Sequence, residues 1–233
     1  MKHNLIHWLR DFLNLFFPAY CLTCPRLLVR SEALLCTICS YELPQTNYHQ
    51  AFDNLVAQKF YGKLPIARAM ALYHFRKSGK VQRLLHHLKY KQKPTVGRVL
   101  GHQYGKLLKE TPWYKDVDLI IPVPLHSSRL RKRGYNQSDF FAQGLSEALA
   151  IPWRNQYLHR IQATIPQTQK RQAARIASLT DAFAVRSPSG IRGQHILLVD
   201  DVITTGATLV ACGQVLCTAG VRALSISTIA VVP

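Results

Sequence analysis

Asp200 and Asp201 stand side by side, and the run Thr204, Thr205, Gly206, Ala207, Thr208 follows almost at once. Carboxylates accept hydrogen bonds from sugar hydroxyls and hold Mg²⁺ directly or through water. A loop rich in Thr and Gly that opens a helix aims main-chain N–H groups and hydroxyls at an anion, and the helix N-terminus adds favourable partial charge. A phosphate cradle beside a grip for a diol and a metal suits a phosphorylated ribose. The plainer alternative is a turn in which Asp201 or Thr204 only caps the helix. A cap needs neither the second carboxylate nor the repeated threonines.

Arg129, Arg131, Lys132 and Arg133 put four cations within five positions. Guanidinium forks match phosphate oxygens, so this cluster suits a pyrophosphate clamp, a nucleic-acid contact or a solvated loop. Lys89-Tyr90 opens a second basic run that ends at Lys93, open to the same alternatives. Cys21, Cys24, Cys36 and Cys39 form two C-x2-C pairs. Each pair presents two thiolates on one knuckle, and two knuckles complete a tetrahedral zinc site. Four thiolates close the coordination, which points to a structural metal; two disulfides, or two free pairs that have lost their metal, are the alternatives. Cys212 and Cys217 fall in an apolar helix and read as core thiols. His86-His87 is not read as a metal pair, because adjacent residues on a helix point in different directions.

The elements that must position these groups follow from the apolar pattern. Ile196 to Val199 is a continuous apolar run, the mark of a strand buried on both faces in a parallel sheet. It should end at the carboxylates, with a helix over 209–218 behind the Thr loop. Asp118 leads into a second short strand that closes at Pro122-Val123-Pro124. Strands are also expected at 67–75 and 222–232, and helices at 51–60, 81–89, 96–108 and 138–150. Gly220 fits the cap of the 209–218 helix. Residues 151–193 read as a polar, basic, irregular insertion. In open α/β sheets ligands bind at the carboxyl ends of the strands, where both the Asp pair and the Arg cluster fall.

The chain has 233 residues, room for one α/β domain and a small appendage, with 48% hydrophobic residues to build its core. Thirty basic residues against twelve acidic give a formal charge of +18, which favours polyanions: nucleic acid, phosphorylated ligands or anionic membrane. Metal-spaced cysteines on a basic α/β chain point to a reducing cytoplasm. Leu5, Trp8, Leu9, Phe12, Leu13 and Phe16 mark one face of an N-terminal helix, but Arg10, Asp11 and Asn14 interrupt any span. Neither a signal peptide nor stable membrane insertion is expected. The lack of their glycine motifs weighs against a P-loop motor and a dinucleotide dehydrogenase.

The stretch from Val199 to Thr208 resembles the signature for 5-phosphoribosyl-1-pyrophosphate (PRPP) in type I phosphoribosyltransferases. That resemblance implies Asp200 and Asp201, with Mg²⁺, at the ribose hydroxyls and Thr204 to Thr208 around the 5′-phosphate. Pro122-Val123-Pro124-Leu125-His126, Arg133-Gly134-Tyr135-Asn136-Gln137 and Lys89-Tyr90 are similar to stretches of the ComF/GntX family. So is the cysteine segment between Phe17-Pro18 and Leu43-Pro44. The 122–135 stretch also resembles amidophosphoribosyltransferases locally. Membership in the ComF/GntX family implies an N-terminal helix and zinc ribbon over 1–45, and a type I phosphoribosyltransferase-like parallel sheet flanked by helices over 46–233. Leu125, His126, Ser127, Ser128, Arg129 and Arg133 would then receive the pyrophosphate. The family further implies a role in DNA uptake or DNA utilisation, with single-stranded DNA and the uptake machinery as candidate partners. Lys89, Tyr90, Arg131 and Lys132 are the candidate nucleic-acid contacts. The alternative is an active transferase that displaces pyrophosphate from PRPP with a nucleobase or amine. Ser178 departs from the Asn of the family pattern that ends in Ala182-Phe183.

Overall fold

The apolar runs pair as strands because each carries side chains for two cores at once. In the computed structural model, which describes residues 16, 18–29, 32–161 and 182–233, a parallel sheet lies between two helical layers. In chain order the elements are α1 (Thr37–Tyr41), α2 (Leu55–Gln58), β1 (Arg68–His74), α3 (Lys80–Tyr90), α4 (Thr95–Leu108), β2 (Leu119–Pro122), α5 (Ser127–Arg133) and α6 (Gln137–Leu149). There follow β3 (Leu158–Arg160), β4 (Phe183–Val185), β5 (His195–Ile203), α7 (Ala207–Thr218) and β6 (Ala223–Val231). The apolar stripe from Leu5 to Leu13 lies outside the described residues, as does the part of the insertion that holds Pro166, Arg175, Ser178 and Asp181.

The four strands of the main sheet run in the order β1-β6-β5-β2, all parallel. Alternation along each strand divides the core. Met70, Leu72, Ile120, Leu197 and Val199 face one apolar cluster with α3, α4 and α6. Ala69, Ala71, Leu119, Ile121, Ile196 and Leu198 face the other, with α2 and α7. Both edges are covered. Thr46 N–H donates to Leu72 O and His74 N–H to Pro44 O, so residues 44–46 line the free side of β1. Ile120 N–H donates to Pro152 O on the free side of β2.

Helices α4 and α6 pack almost backbone to backbone. A Cβ built at Gly144 would lie 2.0 Å from Arg98 O. That approach brings α6, and the residues at its N-terminus, close under the ends of β2 and β5.

Three local expectations change. The helix expected over 51–60 shrinks to Leu55–Gln58. Asn54 is the cause: its Oδ1 accepts from the N–H groups of Val56 and Ala57, while its amide donates to Ala51 O and Ala69 O. This buried side chain both starts the helix and ties the preceding residues to β1. Strand β5 does not end at the carboxylates but continues to Ile203, because β6 pairs with it as far as Ile203↔Val231. The insertion expected to be irregular contains the antiparallel pair β3 and β4, with the Arg160 guanidinium stacked 5.3 Å from the Phe183 ring centre.

Candidate functional site

Strands β2 and β5 send the chain to opposite faces: α6 packs in one core and α7 in the other. Neighbouring strands that part in this way leave a crevice at their carboxyl ends. Strand β2 ends at Pro122, opposite Val199, so Asp200 to Ile203 run on past it. A cavity of about 490 Å³ opens there. Its wall includes Asp200, Asp201, Thr204 and Thr208 from β5 and the loop beyond, Leu125, Arg129 and Arg133 from the β2 side, and Lys89 and Tyr90 from α3.

The two carboxylates have different partners. Ser138 Oγ donates to Asp200 Oδ1 at 2.9 Å, and the Asp201 N–H donates to the same oxygen at 2.8 Å. Burial and the charge of Asp201 push the Asp200 carboxyl up to about 7, against the pull of those hydrogen bonds and of Lys89. Asp201 Oδ2 is ion-paired with Lys89 Nζ at 2.9 Å.

Beyond them the loop turns on Gly206, whose φ of +82° lies in the left-handed region that favours glycine. Gly206 has no side chain to cap α7; the Ala207 N–H donates to Thr205 Oγ1 at 3.4 Å, and the other N–H groups of the first turn have no intrahelical partner. A recess of about 50 Å³ sits against this turn, lined by Asp200 and Thr204 to Thr208. Its size and its donors suit one phosphate.

On the β2 side, the basic run is a seven-residue helix, α5, not a loop. His126 Nδ1 caps it, accepting from the Ser128 N–H at 3.2 Å and hydrogen-bonded to Ser128 Oγ at 2.7 Å. Gly134, with φ +80°, ends it. Arg133 donates to Gln137 Oε1 at 2.7 Å and lies 5.4 Å from the centre of the Tyr90 ring. His126, Ser127 and Ser128, at the start of α5, are not among the residues that line the cavity, and neither are the exposed Arg131 and Lys132. Tyr135 is held in place, its hydroxyl donating to Leu88 O and its ring edge-on to Phe140.

Several wall residues carry no sequence signal of their own: Ser138, Gln82, His86 and Arg160. Ser138 reaches Asp200 across 62 residues of chain, and only its place one residue into α6 puts it there. The Lys89–Asp201 pair joins a basic run and an acidic pair, both legible, whose contact the sequence did not disclose.

At the N-terminal end the sulfur atoms of Cys21, Cys24, Cys36 and Cys39 all lie within 4.8 Å of one another. A tetrahedral site with Zn–S bonds near 2.3 Å needs sulfurs ~3.8 Å apart, so the donor set fits zinc. The six described cysteines are free thiols, and Cys24 Sγ and Cys36 Sγ stand 3.6 Å apart, well beyond a disulfide bond. The thiols are unequal. Burial pushes Cys21 up, but hydrogen bonding, first to Thr23, lowers it to about 6. At Cys24 the Arg26 N–H pulls downward, and burial with the three neighbouring thiols raises it to about 12. The cluster shares the apolar core of α3, and Arg83 of that helix donates to Thr23 O at 2.5 Å. Lys80 of the same helix pairs with Glu42. Cys212 is buried on the inner face of α7 and Cys217, on the same helix, is half-buried, as core thiols should be.

A parallel sheet with this crevice, carboxylate pair and threonine turn is the type I phosphoribosyltransferase fold. Residues 120–232 match the phosphoribosyl transferase domain family. Beyond that domain, the chain is similar to the DNA utilization protein YhgH of Shigella flexneri, 30% identical over 203 residues that cover 84% of this chain and 83% of that one. It is similar to the protein of the same name from Salmonella typhimurium, 28% identical over 85% of this chain and 91% of the other. Competence protein F of Haemophilus influenzae is 38% identical over 51% of this chain and 52% of its own. The chain belongs to the ComF family, and the cysteine cluster is consistent with the zinc ribbon expected of it.

Proposed function

We propose that this chain is a DNA-utilisation protein of the ComF type, acting in the cytoplasm. Its cleft binds PRPP or a related phosphoribosyl ligand with Mg²⁺, and its cysteine cluster holds a structural zinc ion. One observation carries the reading. The acidic pair and the threonine turn stand on one wall of a single cavity, with Arg129 and Arg133 on another. The three parts have the chemistry of a diol, a terminal phosphate and a pyrophosphate respectively.

In this reading the recess at the start of α7 takes the 5′-phosphate through main-chain N–H groups and the Thr205 and Thr208 hydroxyls. Asp200, fixed by Ser138, and Asp201 accept from the ribose hydroxyls. The guanidiniums of Arg129 and Arg133 meet the pyrophosphate. Mg²⁺ is bound by one or two carboxylates together with substrate phosphates, and Asp200 and Asp201 are oxygen donors of that type; the ion would neutralise the charge on the pyrophosphate. The names of the relatives and the formal charge of +18 support action on DNA. Arg131 and Lys132, exposed beside the mouth of the cleft, are the cations offered to a single strand.

Calorimetric titration of the zinc-loaded protein with PRPP and Mg²⁺ tests the pocket. Saturable binding should vanish in the Asp200→Asn/Asp201→Asn double variant while its melting temperature stays within a few degrees of the parent. Absence of PRPP binding by folded parent protein would refute the assignment.

A further inference from the structure

We propose that Lys89 is the resident cation of the aspartate pair, and that it keeps divalent metal out of the cleft until an anionic ligand draws the ammonium away. The ligand half of this inference rests on the phosphoribosyl reading above; the metal half does not.

The geometry is specific. Lys89 Nζ lies 2.9 Å from Asp201 Oδ2, and the two side chains are only 23% and 14% exposed. At that burial the pair is shielded from salt far better than a surface pair. The ammonium occupies one of the carboxylate oxygens open to a metal ion. The wall around it is already cationic: Arg129, Arg133 and Arg160 line the same cavity, against the two carboxylates. A bare divalent ion entering there meets like charge on several sides and has to displace Lys89 as well. An entering ligand that carries phosphates reverses both terms, since its oxygens offer the ammonium a new partner as the metal takes Asp201. Metal and ligand should therefore bind as a pair.

The backbone of α3 is fixed for this role. Arg83 is anchored to Thr23 O, and Tyr135 donates to the carbonyl of Leu88, next to Lys89. Lys89 falls in the last turn of α3, where the helix dipole favours a cation. The helix stays in place while the flexible four-carbon side chain is free to swing between two oxygens.

The test uses full-length, zinc-loaded protein and Mn²⁺ in place of Mg²⁺, read by electron paramagnetic resonance without any phosphoribosyl ligand. Lys89→Met should bind free Mn²⁺ at least ~10-fold more tightly than the parent, a change of about 1.4 kcal/mol. Adding Asp201→Asn to that variant should remove the gained site. Lys89→Arg keeps the charge and should exclude Mn²⁺ as the parent does. Equal Mn²⁺ affinity in parent and Lys89→Met, both folded by circular dichroism, would overturn the proposal. A gain that survives Asp201→Asn would overturn it too. In a parallel titration with PRPP and Mg²⁺, Lys89→Met should bind several-fold more weakly, and unchanged affinity would remove the ligand half. If the parent itself fails to bind PRPP, the phosphoribosyl reading falls, while the Mn²⁺ result still decides whether Lys89 guards the aspartates.

Discussion

At the scale of single residues, the two aspartates are neighbours in sequence with unequal surroundings. Asp201 has Lys89, whereas Asp200 has Ser138, and burial and its neighbour's charge raise its carboxyl to about 7. In the unfolded chain it titrates near 4. Between those values the folded protein holds the extra proton, so this group's contribution to stability falls as pH rises from about 4 towards 7. Asn at position 200 imitates the protonated acid. In Mg²⁺-free buffer, the melting temperature of Asp200→Asn relative to the parent should therefore be higher at pH 8 than at pH 5. A difference that is flat with pH would mean Asp200 titrates normally. The carboxylates, the threonine run and the four cysteines were legible because each group is contiguous or closely spaced, and local spacing is what a sequence displays. Ser138 and the Lys89–Asp201 contact were not legible, because they depend on helices packed from distant parts of the chain.

At the scale of elements, the strands and long helices follow the apolar pattern, and the departures have local causes. Asn54 shortened a helix through four hydrogen bonds that no periodicity encodes. Strand β5 outran its apolar stretch because β6 supplies a pairing edge up to Val231. The basic run became a helix because His126 caps one end and Gly134 terminates the other. The glycines of α4 and α6 carry a meaning that only the packed pair reveals. At Gly144 an added methyl would press on the carbonyl of Arg98 at 2.0 Å, and on the His102 nitrogen at 2.7 Å. Backbone cannot give way as a flexible side chain does. Gly144→Ala should therefore cost about 1–3 kcal/mol or more through overpacking, measured by urea unfolding. It should also weaken ligand binding, because α6 carries Ser138. A variant as stable as the parent would mean that the two helices part without cost.

At the scale of the whole molecule, the cysteine cluster, α3 and the cleft form one mechanical series. The cluster shares its core with α3, Arg83 ties that helix to Thr23, and Lys89 reaches from it to Asp201. Structural zinc contributes on the order of 10–16 kcal/mol of binding free energy to the segment it orders. If the cluster holds zinc as proposed, removing it by chelation, or by Cys21→Ser, should lower the melting temperature and also weaken PRPP binding, although no cysteine lines the cavity. Loss of stability with unchanged PRPP affinity would uncouple the ribbon from the cleft. The surplus of positive charge suits a polyanion. A charge of +18 is legible in composition, but only the fold separates cations turned into the cleft, such as Lys89 and Arg133, from those exposed beside it, Arg131 and Lys132. If the exposed pair meets a single strand, Arg131→Ala/Lys132→Ala should lower single-stranded DNA affinity at low salt. It should also flatten the plot of log affinity against log salt by roughly 0.7 for each phosphate that the variant no longer neutralises, with PRPP binding unchanged. Fluorescence anisotropy with a labelled oligonucleotide at several salt concentrations measures both quantities, and an unaltered slope would place the DNA-binding cations elsewhere on the basic surface.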